Sequence, residues 1–260
     1  MKKAKMTLMV YVSIGIFIAF LIISCIGLFI FRQIYSENTL IVYFSRVGNT
    51  AFNENVDAVT SASLRVNKNG ELEGNSQVIA EDLQKLLGAD IFRIEVEDLY
   101  PQEYDATVER ASQELQNDVN LQLISKIENM EQYDKVVMVY PIWWGTIPVP
   151  VASFLKEYDF AGKTIFPIAT HKGSFLGNSV SDIREILPNA KVKNGIAISG
   201  GSVDYLLEYW ILLIFALSLF IVSLIFYRSG KLINKQKILC NTILIIAVII
   251  IAICLLRLFI

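Results

Sequence analysis

The chain has 260 residues, of which 54% are hydrophobic, and its formal net charge is −2. This hydrophobic content is high for a soluble protein. Residues 37–205 nevertheless contain 24 acidic and only 14 basic side chains, which argues against nucleic acid as a partner. None of the three cysteines lies in this acidic stretch, and the sequence has neither a disulfide framework nor a metal-binding pattern.

Three long uncharged stretches account for the high hydrophobic content. They are Met6–Phe31, Tyr209–Tyr227 and Ile238–Leu256. Each is close to or longer than the ~20 residues that a helix needs to cross a bilayer, so we predict three transmembrane helices. The predicted domains are an N-terminal membrane anchor over 1–34, a polar domain over 35–205, and two C-terminal transmembrane helices over 206–260. The predicted localisation is therefore the cell membrane, as a multi-pass protein.

Basic residues near these stretches indicate which side of the membrane the polar domain occupies. Most of them are Lys2, Lys3 and Lys5 before the first stretch, and Arg228, Lys231, Lys235 and Lys237 between the second and the third. Arg32 lies on the domain side, and Arg257, at the far end of the third stretch, is the one residue that opposes this orientation. Because positive residues favour the cytoplasmic side, the polar domain is predicted to be extracytoplasmic.

The polar domain begins with a strand followed by a loop suited to phosphate. Residues 39–45 form an apolar run of strand length. The next residues, 46–50, are mostly small or polar and end in a Gly-Asn-Thr triplet. Backbone N–H groups in such a loop can bind a phosphate.

An insertion over 51–74 separates this loop from the helix that should follow it. The insertion contains a predicted hairpin, whose strands 64–66 and 71–73 flank a turn. A second triplet, Gly-Asn-Ser, then precedes a helix with apolar spacing over 77–87. Ser76 is its predicted N-cap.

The rest of the domain alternates strands with helices. The predicted strands are 91–96, 136–140, 163–170 and 190–199, and the predicted helices are 104–127, with a break near 117–118, 149–158 and 180–187. This alternation predicts a doubly wound parallel sheet.

Two loops at the ends of these strands carry residues suited to a planar ligand. Trp143 and Trp144 lie in a proline-bracketed loop after the third strand, where open α/β sheets bind ligands and aromatic rings can stack. Packing at a loop–helix junction is the alternative for both rings. The loop after the fourth strand carries His171, the only histidine, which is either a hydrogen-bonding or proton-relaying group or an ordinary polar loop residue.

With these loops in place, the domain resembles the flavodoxin family. The resemblance rests on four motifs in order, at 42–50, 141–148, 158–165 and 170–174. It implies a flavodoxin-like, five-stranded parallel sheet of order 2-1-3-4-5 and FMN as cofactor. It also implies that Ser45, Arg46 and one of the two Gly-Asn-hydroxyl triplets hold the phosphate, with the second triplet favoured.

The same resemblance implies that Trp143 and Trp144 flank the flavin ring and that residues 170–174 line its pyrimidine edge. The complete set of implied cofactor-binding residues is Ser45, Arg46, Asn49, Thr50, Asn75, Ser76, Gln77, Pro141, Ile142, Trp143, Trp144, Gly145, Thr170, His171, Gly173 and Ser174.

Residues 57–63 are similar to the Asp-x-x-(Ser/Thr)-Gly-Ala-(Thr/Ser) signature on which extracytoplasmic proteins carry FMN as a phosphoester. Ser61 stands where that signature has glycine. The similarity offers Ser63 as a covalent attachment site for FMN, and a loop of small residues is the alternative.

The predicted function is that of a membrane-anchored, FMN-binding, flavodoxin-like electron-transfer protein. Its partner would be a redox protein or a quinone. An NAD(P)H-dependent quinone or flavin reductase on the same fold is the alternative, and a flavin-free sensory or scaffold module is a third hypothesis.

Overall fold

The computed structural model describes residues 37–52 and 62–205, together with 216, 220, 242–243 and 245–250. The chain divides into two units, one of Tyr35–Asp204 and one of Met1–Ile34 with Tyr205–Ile260. No helix within the described residues is both long and apolar enough to cross a membrane. The three predicted transmembrane helices lie largely outside the described residues.

The unit Tyr35–Asp204 contains eight strands and four α-helices among its described residues. In chain order they are β1 (Thr39–Phe44), β2 (Leu64–Val66), β3 (Leu72–Gly74), α1 (Asn75–Leu87), β4 (Asp90–Ile94), α2 (Tyr104–Gln116), β5 (Lys135–Pro141), α3 (Val149–Glu157), β6 (Thr164–His171), α4 (Ser179–Ile186), β7 (Lys191–Val192) and β8 (Ile196–Ser199). Short 3-10 segments lie at Met130–Gln132 and Gly200–Tyr205.

The central sheet is parallel throughout, as predicted. Its order is β4-β1-β5-β6, and both β7 and β8 pair with β6. The predicted count of five strands is wrong, because the fifth strand expected over 190–199 is two short strands. The position of the fifth strand in the predicted order 2-1-3-4-5 is therefore occupied by both β7 and β8.

A proline and a glycine explain why this edge strand is divided. Pro167 lies inside β6, between the residues that pair with β7 and those that pair with β8, and it has no N–H to donate to a neighbouring strand. Opposite it, three residues of the edge strand, 193–195, face two residues of β6. Gly195, with φ +81, accommodates this bulge in a backbone conformation that most residues avoid.

The strands at the centre of the sheet are buried apolar runs, as expected for strands covered on both faces. Every residue of β1 is buried, and six of the seven residues of β5 are buried. Leu40, Val42 and Phe44 alternate along β1 and belong to one core cluster with Phe154 of α3, while α1 packs against β1 and β5. The carboxyl ends of β1, β5 and β6 consequently lie side by side at one edge of the sheet.

The predicted hairpin of the insertion is confirmed, since β2 and β3 pair antiparallel over 64–66 and 72–74. The side chain of Asn67 organises its turn, because Oδ1 accepts hydrogen bonds from the backbone N–H groups of Asn69 at 2.9 Å and Glu71 at 3.0 Å. The hairpin leads directly into α1.

The predicted N-cap of this helix is wrong. Gly74 occupies the cap position, and Ser76 lies inside the first turn, where its hydroxyl donates to the carbonyl oxygen of Phe44. The glycine at the cap lets the end of β3 approach the end of β1 closely. A Cβ atom on Gly74 would lie 1.8 Å from Oγ of Ser45.

Candidate functional site

Three loops meet at the carboxyl edge of the sheet, after β1, β5 and β6. This is the edge where open α/β sheets bind their ligands. Direct backbone hydrogen bonds fix the β5 and β6 loops to each other. Ile142 N donates to Thr170 O at 2.8 Å, and Asn178 N donates to Gly145 O at 2.8 Å.

The β5 loop is a tight turn from Trp143 to Thr146. The two end residues exchange backbone hydrogen bonds, at 3.1 Å from Trp143 N to Thr146 O and at 3.0 Å in the reverse direction. Trp144 has φ +51 and Gly145 has φ +77, as in a type I′ turn. A positive φ is uncommon for a bulky residue and costs about 1–2 kcal/mol.

This turn gives the two tryptophans different environments. Trp143 points inward and is half-buried, with its ring 5.3 Å from Phe44 and 5.2 Å from Tyr100 in edge-on contacts. Its indole N–H donates to Oγ of Ser63 at 2.8 Å. Trp144 is 57% exposed, and its indole N–H donates to Val108 O on α2 at 3.0 Å. Trp143 thus has the packing environment considered above, whereas Trp144 presents a free aromatic face.

In the loop after β1, most side chains are already engaged. Oγ of Ser45 accepts from Val47 N at 3.1 Å. The amide of Asn49 is fully buried and bonds to Ser45 O, Ile94 O and Val96 N at 2.8–2.9 Å. Thr50 is different, because its hydroxyl is buried and has no hydrogen-bond partner within the described part of the chain.

The second Gly-Asn-hydroxyl triplet lies at the end of β1, where Gly74 approaches Ser45 and Ser76 donates to Phe44 O. Asn75 donates from its backbone N to Ser63 O at 3.0 Å and from Nδ2 to Ala62 O at 3.2 Å. Thr170 donates to the same Ala62 carbonyl at 2.7 Å. The end of the insertion therefore contacts two predicted cofactor ligands. Gln77 bonds only to Glu81 through Nε2, and its Oε1 is buried without a partner.

The β6 loop places the single histidine inside the site. His171 is buried, and burial lowers its pKa. Its Nδ1 accepts a hydrogen bond from Gly173 N at 3.0 Å, so Nε2 carries the proton of the neutral ring. The ring lies 4.9 Å from that of Phe175. Ser174 is exposed in the same loop.

Arg46 leaves the phosphate loop in the direction of α2. Its Nη2 donates to Pro101 O at 2.9 Å, Gln102 O at 3.1 Å and Oγ1 of Thr107 at 3.2 Å. The side chain is buried, and burial lowers its pKa. Its guanidinium carbon lies 5.3 Å from the centre of the Phe52 ring.

A cavity of about 310 Å³ opens beside this guanidinium, between the β5 loop and α2. It is lined by Arg46, Ala62, Ser63, Tyr104, Thr107, Val108, Ala111, Ile142, Trp143 and Trp144. The four residues from α2 were not predicted from the sequence as site residues. Their spacing at 104, 107, 108 and 111 is that of one helix face, and this spacing was the available signal.

Comparison with known proteins found a matching family model and similar solved structures. A family model described as Flavodoxin matches residues 69–214. A protein described as a flavoprotein from Bacteroides eggerthii is 25% identical, with a TM-score of 0.47 over 65% of this chain and 95% of the other. A flavoprotein in complex with FMN from Lactobacillus acidophilus is 20% identical, with a TM-score of 0.44 over 63% and 93%. No curated protein matches the chain significantly.

Proposed function

Because the chain belongs to the flavodoxin family, we propose that it binds FMN at the loops after β1, β5 and β6 and uses it to transfer electrons. FMN is the cofactor that this membership implies, and it supplies the redox chemistry when bound. The protein contributes binding, orientation and electrostatics.

The residues at the end of β1 suit a phosphate group. The unpartnered hydroxyl of Thr50 is a buried donor that needs an acceptor. The helix α1 starts at the same place with no acidic residue in its first turn, and a helix N-terminus favours an anion. Gly74 lets the Ser45 side chain lie against the start of this helix, since a Cβ atom on residue 74 would be 1.8 Å from Oγ of Ser45.

Trp144 is the observation that carries the proposal. It combines a positive φ with an exposed aromatic face at the ligand-binding edge, and such strain collects at functional sites. An exposed indole at this edge is a stacking surface for the flavin ring. His171 would hold a proton at Nε2, from which it could donate a hydrogen bond to the ring.

We also propose that the protein is anchored in the cell membrane and holds this domain on the extracytoplasmic side. The support is the three uncharged stretches and the distribution of lysines and arginines around them. A redox protein or a quinone would then be the electron partner.

The visible absorbance of the purified full chain in mild detergent, before and after acid precipitation, tests the cofactor. We expect a flavin spectrum that moves to the supernatant. Colour that stays in the pellet, and that a Ser63→Ala variant lacks, would indicate covalent attachment at Ser63. A colourless protein that cannot be reconstituted with FMN would contradict the proposal.

Two further assays address electron transfer and location. The reduced protein should pass electrons to a one-electron acceptor such as ferricyanide, whereas NAD(P)H oxidation without any added partner would favour a reductase. Resistance to carbonate extraction would support membrane anchoring. Cleavage of the domain by protease added to spheroplasts would support its extracytoplasmic location, and protection of the domain would contradict it.

A further inference from the structure

The cavity between the β5 loop and α2 contains a buried positive charge for which no matching negative charge is found among residues 37–52 and 62–203. Arg46 is only 5% exposed, and no carboxylate among the described residues forms an ion pair with it. Its hydrogen bonds go to two carbonyl groups and one hydroxyl group. Buried charges in proteins are normally paired, and the described part of the chain supplies no carboxylate partner for this one.

The bonding of the guanidinium is also uneven. All three acceptors share the two N–H groups of Nη2, while the buried Nε–H has no hydrogen-bond partner among the described residues. The contact with the Phe52 ring stabilises the cation but supplies no acceptor for the unused N–H group. The guanidinium is therefore equipped to receive an oxyanion beyond its internal bonds.

The remaining walls of the cavity indicate the shape of the molecule that would bring this oxyanion. Trp143, Trp144 and Tyr104 supply aromatic surface, and Val108 and Ala111 supply aliphatic surface on the helix side. Ser63 and Thr107 add hydroxyl groups near the charge. Flat apolar walls around one cation suit a planar, conjugated molecule with a single acidic group.

We propose that this cavity binds a small planar carboxylate, with Arg46 as the counter-charge for its acid group and the rings of Trp143 and Tyr104 as its aromatic walls. The exposed face of Trp144 remains available to the flavin ring. The ligand would be the small-molecule redox partner at the edge of the flavin. That redox role rests on the function proposed above, whereas the binding of the carboxylate does not.

This proposal separates Arg46 from the phosphate of FMN. Arg46 bonds to the segment after β4 and to α2, whereas Thr50 and the start of α1 lie at the end of β1. None of Asn75, Ser76 and Thr170 lines the cavity. The acid group recognised by Arg46 is thus assigned to a second molecule.

The test uses the full chain in mild detergent and two probes that differ only in charge, 2-naphthoate and its neutral amide. Binding is followed by quenching of tryptophan fluorescence, in the flavin-free protein and after FMN loading. Charged hydrogen bonds of this kind support a roughly ten- to hundredfold preference for the carboxylate. We expect this preference in both forms of the protein. Equal affinity for the two probes, or loss of naphthoate binding once FMN is bound, would overturn the proposal.

Variants of Arg46 test whether this residue supplies the positive charge that favours the carboxylate. Arg46→Gln should abolish the preference for naphthoate, and Arg46→Lys should retain part of it. Arg184→Gln is the matched control, because it removes an exposed arginine on α4 that lies outside the cavity, and it should keep the full preference. An unchanged preference in a folded Arg46→Gln variant would refute the assignment. If that variant does not fold, the probe pair on the unaltered chain and Arg46→Lys still decide the matter.

A comparison of FMN with riboflavin separates the two proposals from each other. If Arg46→Gln weakens FMN binding about tenfold but leaves riboflavin binding unchanged, Arg46 serves the cofactor phosphate, and the carboxylate site is refuted while the proposed function stands. If the protein binds no flavin but still prefers naphthoate to its amide, the carboxylate site stands and the proposed function fails.

Discussion

We predict that the buried amide of Asn49 stabilises the fold through its hydrogen bonds. The family resemblance implies instead that Asn49 binds the cofactor. Its Nδ2 donates to the carbonyl oxygens of Ser45 and Ile94, each at 2.9 Å. Its Oδ1 accepts from Val96 N at 2.8 Å. Ser45, Ile94 and Val96 are themselves buried, so these bonds are shielded from water in the native protein. One side chain thereby joins the loop after β1 to the end of β4.

Replacing Asn49 with alanine removes all three bonds and leaves two carbonyl groups and one N–H group without partners. Each bond contributes about 1 kcal/mol net, and each buried group left unpaired costs about 1–3 kcal/mol. Partial entry of water into the vacated space would lower the total. We therefore expect Asn49→Ala to reduce the free energy of unfolding by about 3–5 kcal/mol, near the upper end for a single substitution.

Urea unfolding of the flavin-free full chain in mild detergent, followed by tryptophan fluorescence, measures this loss. The control is Asn69→Ala, which removes an exposed side chain in the hairpin turn and should change stability by less than about 0.5 kcal/mol. A loss below about 1 kcal/mol for Asn49→Ala, at an unchanged denaturant slope, would refute the reasoning. If FMN binding also weakened strongly, the cofactor-ligand role would be favoured instead.

Three other substitutions test other parts of the site. Gly74→Ala should destabilise the protein by about 1–3 kcal/mol through overpacking against Ser45. Adding Ser45→Gly to the same chain should recover at least half of that loss, and additive effects of the two substitutions would contradict the clash. Trp144→Gly should leave stability unchanged or raise it by about 1 kcal/mol, since it relieves a positive φ; urea titration measures this effect. The same substitution should weaken FMN affinity about tenfold, as measured by flavin fluorescence. Because burial lowers the pKa of His171, the unfolded chain takes up a proton at this side chain more readily than the folded chain does. Stability should therefore fall as the pH drops below about 6.5. His171→Gln should flatten that part of the plot of urea midpoint against pH, and an identical plot for the variant would refute the effect.

The alternation of apolar strands and helices was enough to predict the parallel sheet, the ligand-binding edge and the inserted hairpin. These features depend on the periodicity of apolar residues and on turn residues, both of which are recognisable within short segments of the sequence. The division of the edge strand was not predictable in the same way, although the sequence places Pro167 inside the predicted strand 163–170. Its effect depends on which strand lies opposite it, and that is a property of the assembled sheet.

The two tryptophans show the limit of sequence reasoning for the site itself. Trp143 and Trp144 are chemically identical neighbours, and only the sign of φ in the turn sends one inward and the other outward. The cavity residues of α2 were missed for a different reason. Tyr104, Thr107 and Ala111 follow no motif, and their importance comes from the approach of Arg46.

The inserted hairpin also has a consequence for how the domain folds. The chain between β1 and α1 is about fivefold longer than it would be without residues 51–74, and loop-closure entropy grows only with the logarithm of length, so the extra cost is roughly 1.4 kcal/mol. The strand and the helix still meet, through Ser76 and the carbonyl of Phe44. The longer connection mainly slows folding, because the contact between Ser76 and Phe44 joins segments that are far apart in sequence. Shortening the insertion should accelerate folding more than it stabilises the native state.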